Sequence, residues 1–165
     1  MPYLTPTVGL FFYAPDYIKF VENLKYYLET ELKFSDYSKY DEVNEIRLKN
    51  AYPIGVIDDV EIQFLHYRSE NEAHSKWTRR VQRVNYDNLY LKFDDRDLST
   101  PELMLRFDQI SGVKNKVIFS AKKYPDINSL VFLPNFAGQD TIGDIYTDKK
   151  SYRKKFSVVA WLKKN

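Results

Sequence analysis

The segment from Asn88 to Ser120 constrains the fold most, because it reads as strand, helix, strand within some thirty residues. Asn88–Phe93 is a short, mostly apolar run. Thr100 and Pro101 then supply the N-cap and first-turn signals of a helix through Phe107. Lys116–Ser120 is a second strand-length run. Two strands separated by a helix-length stretch are the unit from which helix-covered parallel sheets are built, since a parallel pair needs a long crossover. The pattern predicts an α/β fold with a mixed or mostly parallel sheet covered by helices in a three-layer α/β/α arrangement. The length of 165 residues suits a single domain over 1–165.

The rest of the chain extends the alternation. Val8–Tyr13 is a continuous apolar and aromatic run, too short for a helix, and is expected to form the first strand. Pro15 opens a helix over about 15–30, with Ile18, Val21, Leu24 and Leu28 on one face. Leu32–Tyr37 is a further strand candidate, and Ser38–Asn50, which has no clear period, is expected to be loop or short helix. Val60, Ile62 and Phe64 alternate with Glu61 and Gln63 in a strand over Val60–Tyr67, although Leu65 breaks the alternation near its end. Ser69 with Glu72 has the spacing of a capping box, so a helix is predicted from there to about Val84. Its buried stripe is Ala73, Trp77, Val81 and Val84. Ser129–Leu133 adds a strand, and Phe156, Val159 and Leu162 mark a last helix over Ser151–Lys163. No repeat, low-complexity tract or Gly/Ser linker divides the sequence.

Composition removes several function classes. Without cysteine there is no disulfide framework, thiol nucleophile or thiolate metal site. Lys and Arg number 25 against 23 Asp and Glu, a net charge of +2, which argues against nucleic acid as a partner. No apolar run is long enough to span a membrane, and no leader pattern follows Met1, so a cytoplasmic location is expected. GxGxxG, P-loop, HExxH and GxSxG patterns are absent. The 14 tyrosines, 11 phenylalanines and two tryptophans can stack on sugar rings or bases, or simply pack at the core edge.

Three constellations carry chemistry. Asp94-Asp95-Arg96-Asp97 follows a strand and precedes a capped helix, and ligands of open α/β sheets collect beyond the carboxyl ends of strands. Asp95 and Asp97 there can ligate Mg or Mn bridging the phosphates of a nucleotide-sugar, or the run can merely solvate a turn. Asp59 and Glu61 share strand parity with Gln63, a disposition open to acid/base work. His66 has the opposite parity, which favours a hydrogen-bonded sheet histidine over a partner for Glu61. Lys76, Arg79 or Arg80, and Arg83 line one face of the helix after Ser69. They can receive phosphate, or form a solvated face with Glu72 and Lys76 paired. Lys149, Lys150, Arg153, Lys154 and Lys155 form a second basic patch at the start of the last helix.

The run Tyr52-Pro53-Ile54-Gly55, Asp59-Val60-Glu61-Ile62, Phe64-Leu65-His66-Tyr67 and Lys76-Trp77 with Arg79-Arg80 resembles an uncharacterised bacterial family, domain of unknown function nineteen-nineteen. The likeness continues through Asn85, Asp87-Asn88, Asp95-Arg96-Asp97, Arg106-Phe107-Asp108, Lys114-Asn115-Lys116-Val117, Lys122, Tyr124-Pro125 and Gly143-Asp144, from Pro6 to Leu162 in all. Relative to that family the chain is expected to start after the usual N-terminal segment, and Leu98-Ser99 stand where Gly-Cys is expected. Members are often labelled exopolysaccharide-biosynthesis proteins.

The resemblance implies an enzyme of cell-surface polysaccharide biosynthesis acting on a sugar or sugar-nucleotide, with a glycosyltransferase-like transfer as the expected reaction type. Asp59, Glu61, Asp95 and Asp97 are the expected catalytic set, with Asp95 and Asp97 as metal ligands. His66, Arg79, Arg80, Lys122 and Tyr124 are expected to bind substrate. The alternative is a non-catalytic carbohydrate-binding or assembly protein of the same pathway.

Overall fold

The computed structural model describes residues 5–7, 9–143 and 155–163. Val8 of the expected first strand, Ser151 of the expected last helix, and Lys149, Lys150, Arg153 and Lys154 of the basic patch lie outside the described residues. The chain is mixed α/β, with the strands of the described residues in two three-stranded sheets rather than one. Each sheet lies in its own compact unit, 1–86 and 87–165.

In the first unit, α1 (Ala14–Glu22) and α2 (Leu24–Glu29) replace the single helix expected over 15–30. The break is at Asn23, whose φ of −127° and ψ of 44° are not helical. Asparagine is a weak helix former because its amide competes for the backbone. β1 (Lys33–Ser35), α3 (Asp41–Arg47), β2 (Ile54–Ile57) and β3 (Val60–Gln63) follow, with the antiparallel order β1-β2-β3. Asp58, at a φ of 54°, turns the β2–β3 hairpin, a conformation Asp tolerates better than most residues.

Among its described residues, the run expected to be the first strand makes a single antiparallel bridge, Phe11 to Gln63. Phe11 N donates to Gln63 O at 2.9 Å and Gln63 N returns the bond at 2.8 Å. Gly9, in the left-handed region at a φ of 71°, and the start of α1 at Ala14 leave no room for more. α4 (Glu70–Val81) begins where the capping pattern places it, with Ser69 Oγ accepting from Glu72 N at 3.2 Å. Phe20 and Phe64, both buried, pack their rings 6.2 Å and 6.5 Å from that of Trp77 on α4.

In the second unit β4 (Tyr90–Asp94), α5 (Pro101–Gln109), β5 (Asn115–Ser120) and β6 (Leu130–Phe132) realise the strand-helix-strand pattern. The three strands are parallel in the order β4-β5-β6. Thr100 Oγ1 caps α5 by accepting from Leu103 N at 3.2 Å. Phe93 stacks on Phe107 at 5.4 Å, while Val117, Phe119, Leu133, Phe136 and Ile142 form a core cluster. The last helix, α6 (Val158–Leu162), is shorter than expected and is capped by Ser157, whose Oγ accepts from Ala160 N. No helix among the described residues is long and apolar enough to cross a membrane.

Candidate functional site

The carboxyl edge of the parallel sheet gathers the acidic motif. Asp95, immediately beyond β4, is buried, and its two oxygens accept three hydrogen bonds. Oδ2 takes Ser120 Oγ at 2.9 Å and Ala121 N at 2.7 Å, and Oδ1 takes Ile142 N at 2.8 Å. One carboxylate therefore ties the ends of β4 and β5 to the segment around Ile142. Asp94 lies beside Lys92 Nζ, at 2.8 Å, and Arg96 Nε, at 3.5 Å. Burial is the largest single influence on Asp94 and pushes it up, yet the two cations and the Arg96 amide outweigh it and hold its carboxyl below the ordinary range.

The turn that follows presents side chains outward. Asp97 and Leu98 are exposed and sit consecutively in the left-handed region, at φ of 56° and 68°. Aspartate adopts that backbone readily, whereas leucine does so at a cost. Lys122, exposed beyond β5, reaches Asp140 at 3.4 Å, and its backbone N donates to Ser120 Oγ at 3.0 Å. Tyr124 is half-buried in the same β5–β6 connection. Asp95, Asp97, Lys122 and Tyr124 thus belong to one sheet edge. Asp95 spends three of its roughly four lone-pair sites on protein donors, which gives it a positioning role. Among the described residues no group of three or more His, Asp or Glu side chains is disposed to hold a metal ion.

Asp59, Glu61, His66, Arg79 and Arg80 belong to the first unit. Glu61 and Gln63 share a face as strand parity requires, and Gln63 Nε2 donates to Glu61 Oε1. Glu61 is buried and also accepts from Ser38 Oγ and, at 2.9 Å, from Lys39 N. Asp59 sits in the hairpin turn and accepts from Lys19 Nζ at 2.5 Å and Tyr27 OH at 2.8 Å. The Lys19 bond, followed by that from Tyr27, holds the Asp59 carboxyl below its ordinary range, and burial beside Asp59 pushes the Tyr27 hydroxyl up.

Asp16 joins this polar group without having been singled out in the sequence. It is 1% exposed on α1 and accepts from Lys39 Nζ at 2.5 Å and Tyr40 OH at 2.9 Å. Burial raises its carboxyl, opposed by Lys39 and Tyr40. The only sequence signal was an acidic residue in the first helical turn, a common surface position.

His66 is exposed in the turn after β3, one residue past Leu65, rather than within the sheet. β3 ends at Gln63 because Pro53, next in register, accepts from Phe64 N at 3.0 Å but has no N–H to return the bond. Arg79 is exposed. Arg80 Nη1 donates to Tyr67 OH, and its guanidinium lies 6.0 Å from the Tyr67 ring centre.

A family model described as Domain of unknown function (DUF1919) matches residues 1–163. The chain belongs to this family. An uncharacterized protein of Haemophilus influenzae strain Rd is 35% identical over 164 residues, covering 97% of this chain and 74% of the relative. In this DUF1919 chain, two further motif residues prove to be fastenings. Asp108 Oδ1 accepts from Ser129 N at 2.8 Å and Oδ2 from Asn128 N at 3.0 Å, bracing the entry to β6. Lys116 Nζ donates to the carbonyls of Asp108, at 2.6 Å, and Ile110, at 2.5 Å, closing the C-terminal end of α5.

Proposed function

We propose that this DUF1919 chain handles a sugar or sugar-nucleotide in cell-surface polysaccharide biosynthesis, with the ligand taken at the carboxyl edge of the β4-β5-β6 sheet. The observation that supports this reading is the Asp95 carboxylate, whose three hydrogen bonds draw the segments after β4 and β5 to the segment at Ile142. Such an edge is where parallel sheets take ligands. Asp97 would accept hydroxyl hydrogens of a sugar and Lys122 would neutralise phosphate. Tyr124 would offer an apolar ring face. The exposed Lys122–Asp140 pair is long enough to exchange for a ligand at little cost.

One observation favours the non-catalytic reading, in which glycan is bound and no bond is broken. Both buried carboxylates of the expected catalytic set, Asp95 and Glu61, have oxygens engaged by protein donors, which leaves them poorly placed as bases. Turnover separates the two readings. Incubation with a nucleotide-sugar library followed by mass spectrometry should reveal a consumed donor if the chain is a transferase. Calorimetry with the same library tests the site itself. Asp97→Asn, which keeps a residue tolerant of the left-handed backbone, should weaken binding at least tenfold with the fold intact, and so should Lys122→Ala. Unchanged affinity in both variants would overturn the assignment.

A further inference from the structure

The outer face of α4 bears a charge pattern that the sheet-edge site does not use. Lys76, Arg79, Arg80 and Arg83 recur at three- and four-residue intervals, so they form a strip along one side of the helix. The helical turn is prolonged past Val81 by Arg83 N donating to Arg80 O at 3.0 Å, which keeps Arg83 in line. At about 1.5 Å per residue the strip runs for roughly 10 Å, with cations about one turn apart.

Two members are held in place. Lys76 Nζ lies 5.3 Å and Arg80 Cζ 6.0 Å from the centre of the same buried Tyr67 ring, and Lys76 also pairs with Glu72 at 2.5 Å. The other two, Arg79 and Arg83, are exposed and have no carboxylate partner among the described residues. Guanidinium groups ordered or offered in a line constitute charge complementarity for an anion that is itself extended.

We propose that this face of α4 docks an acidic polysaccharide carrying about one carboxylate per sugar ring. A linear strip of cations matches a linear polyanion better than a compact phosphate. A single-stranded nucleic acid would need aromatic faces for its bases, but the aromatic side chains that pack at α4, Trp77 and Tyr67, are buried. An anionic bilayer would need apolar side chains to insert, and the exposed positions of α4, such as Asn71, His74, Ser75 and Thr78, are polar. The choice of a sugar polymer over an acidic peptide rests on the polysaccharide reading above, but the strip shares no residue with the sheet edge, so loss of binding at one leaves the other intact.

The test uses the full chain with polygalacturonate as probe, neutral dextran as control, and poly-glutamate and single-stranded RNA as competing polyanions. Polygalacturonate should bind with an affinity that falls as salt is raised, and dextran should not bind. Arg79→Ser with Arg83→Ser should weaken binding at least tenfold and flatten the salt dependence, with unchanged circular dichroism. Glu72→Gln retains the cap while removing the competing charge beside Lys76, and should tighten binding severalfold. Polygalacturonate affinity unchanged in the double variant would overturn the proposal, as would poly-glutamate or RNA binding more tightly than polygalacturonate.

Discussion

A carboxylate that accepts three hydrogen bonds in a buried place cannot be removed quietly. Asp95→Ala leaves Ala121 N and Ile142 N without acceptors and strips Ser120 Oγ of its partner, at about 1–3 kcal/mol for each buried group left unmade. We expect a loss of at least about 3 kcal/mol by urea unfolding. Asp95→Asn should also lose stability, because whichever way its amide turns, one NH₂ confronts a backbone N–H. Asp97→Asn, exposed and two residues away, should stay within about 0.5 kcal/mol of the native protein. Equal stability losses at 95 and 97 would contradict the division between a clasp and a presenting residue. The sequence made these two aspartates look alike because local spacing carries no burial information at the end of a strand. What sets Asp95 apart includes a bond from Ile142 N, far along the chain. The same limit hid Asp16, whose partners Lys39 and Tyr40 lie outside its own helix.

Elements were legible where a side chain acts on its own backbone. Ser69, Thr100 and Pro101 mark helix starts by satisfying or lacking specific N–H groups, and α4 and α5 begin there. Period-two alternation exposed β3 in the same way. By contrast β2 is a short apolar run, Ile54-Gly55-Val56-Ile57, with nothing periodic in it, and its identity comes from pairing on both sides. The Val8–Tyr13 run is its converse, with strand-like residues and almost no pairing. Gly55 shows what β2 must supply. A Cβ added there would meet Phe64 Cε2 at 2.5 Å and Leu32 Cδ1 at 2.7 Å, both on buried side chains. Gly55→Ala should therefore cost about 1–3 kcal/mol by overpacking, despite alanine's lower backbone entropy cost. Combining it with Phe64→Leu, which withdraws the ring, should recover part of that loss. A single variant as stable as the native protein would show that the ring moves aside freely.

At the scale of the molecule, carboxylates of opposite tendency shape the response to pH. Asp94 and Asp108 are held below the ordinary carboxylate value of 3.8. For Asp108, as for Asp94, burial is the largest influence and pushes upward, but the hydrogen bonds from Ser129 and Asn128 prevail. Their stabilisation is complete above 3.8 and is lost as pH falls through their folded values. Asp16 is raised, so between 3.8 and its folded value the folded chain binds more protons than the unfolded one. Stability across that window must then fall as pH rises, and the penalty is constant above it. In a pH series of urea unfolding, the stability of the native protein relative to Asp16→Asn should decline as pH is raised from 3.8 and then level off. The substituted amide keeps an acceptor for Tyr40 and cannot titrate, so shared losses below 3.8, from Asp94 and Asp108, cancel in the comparison. A difference that stays flat from 3.8 to neutrality would mean that the Lys39 ammonium fully offsets the desolvation of Asp16, and that this carboxylate is no stored cost of the fold.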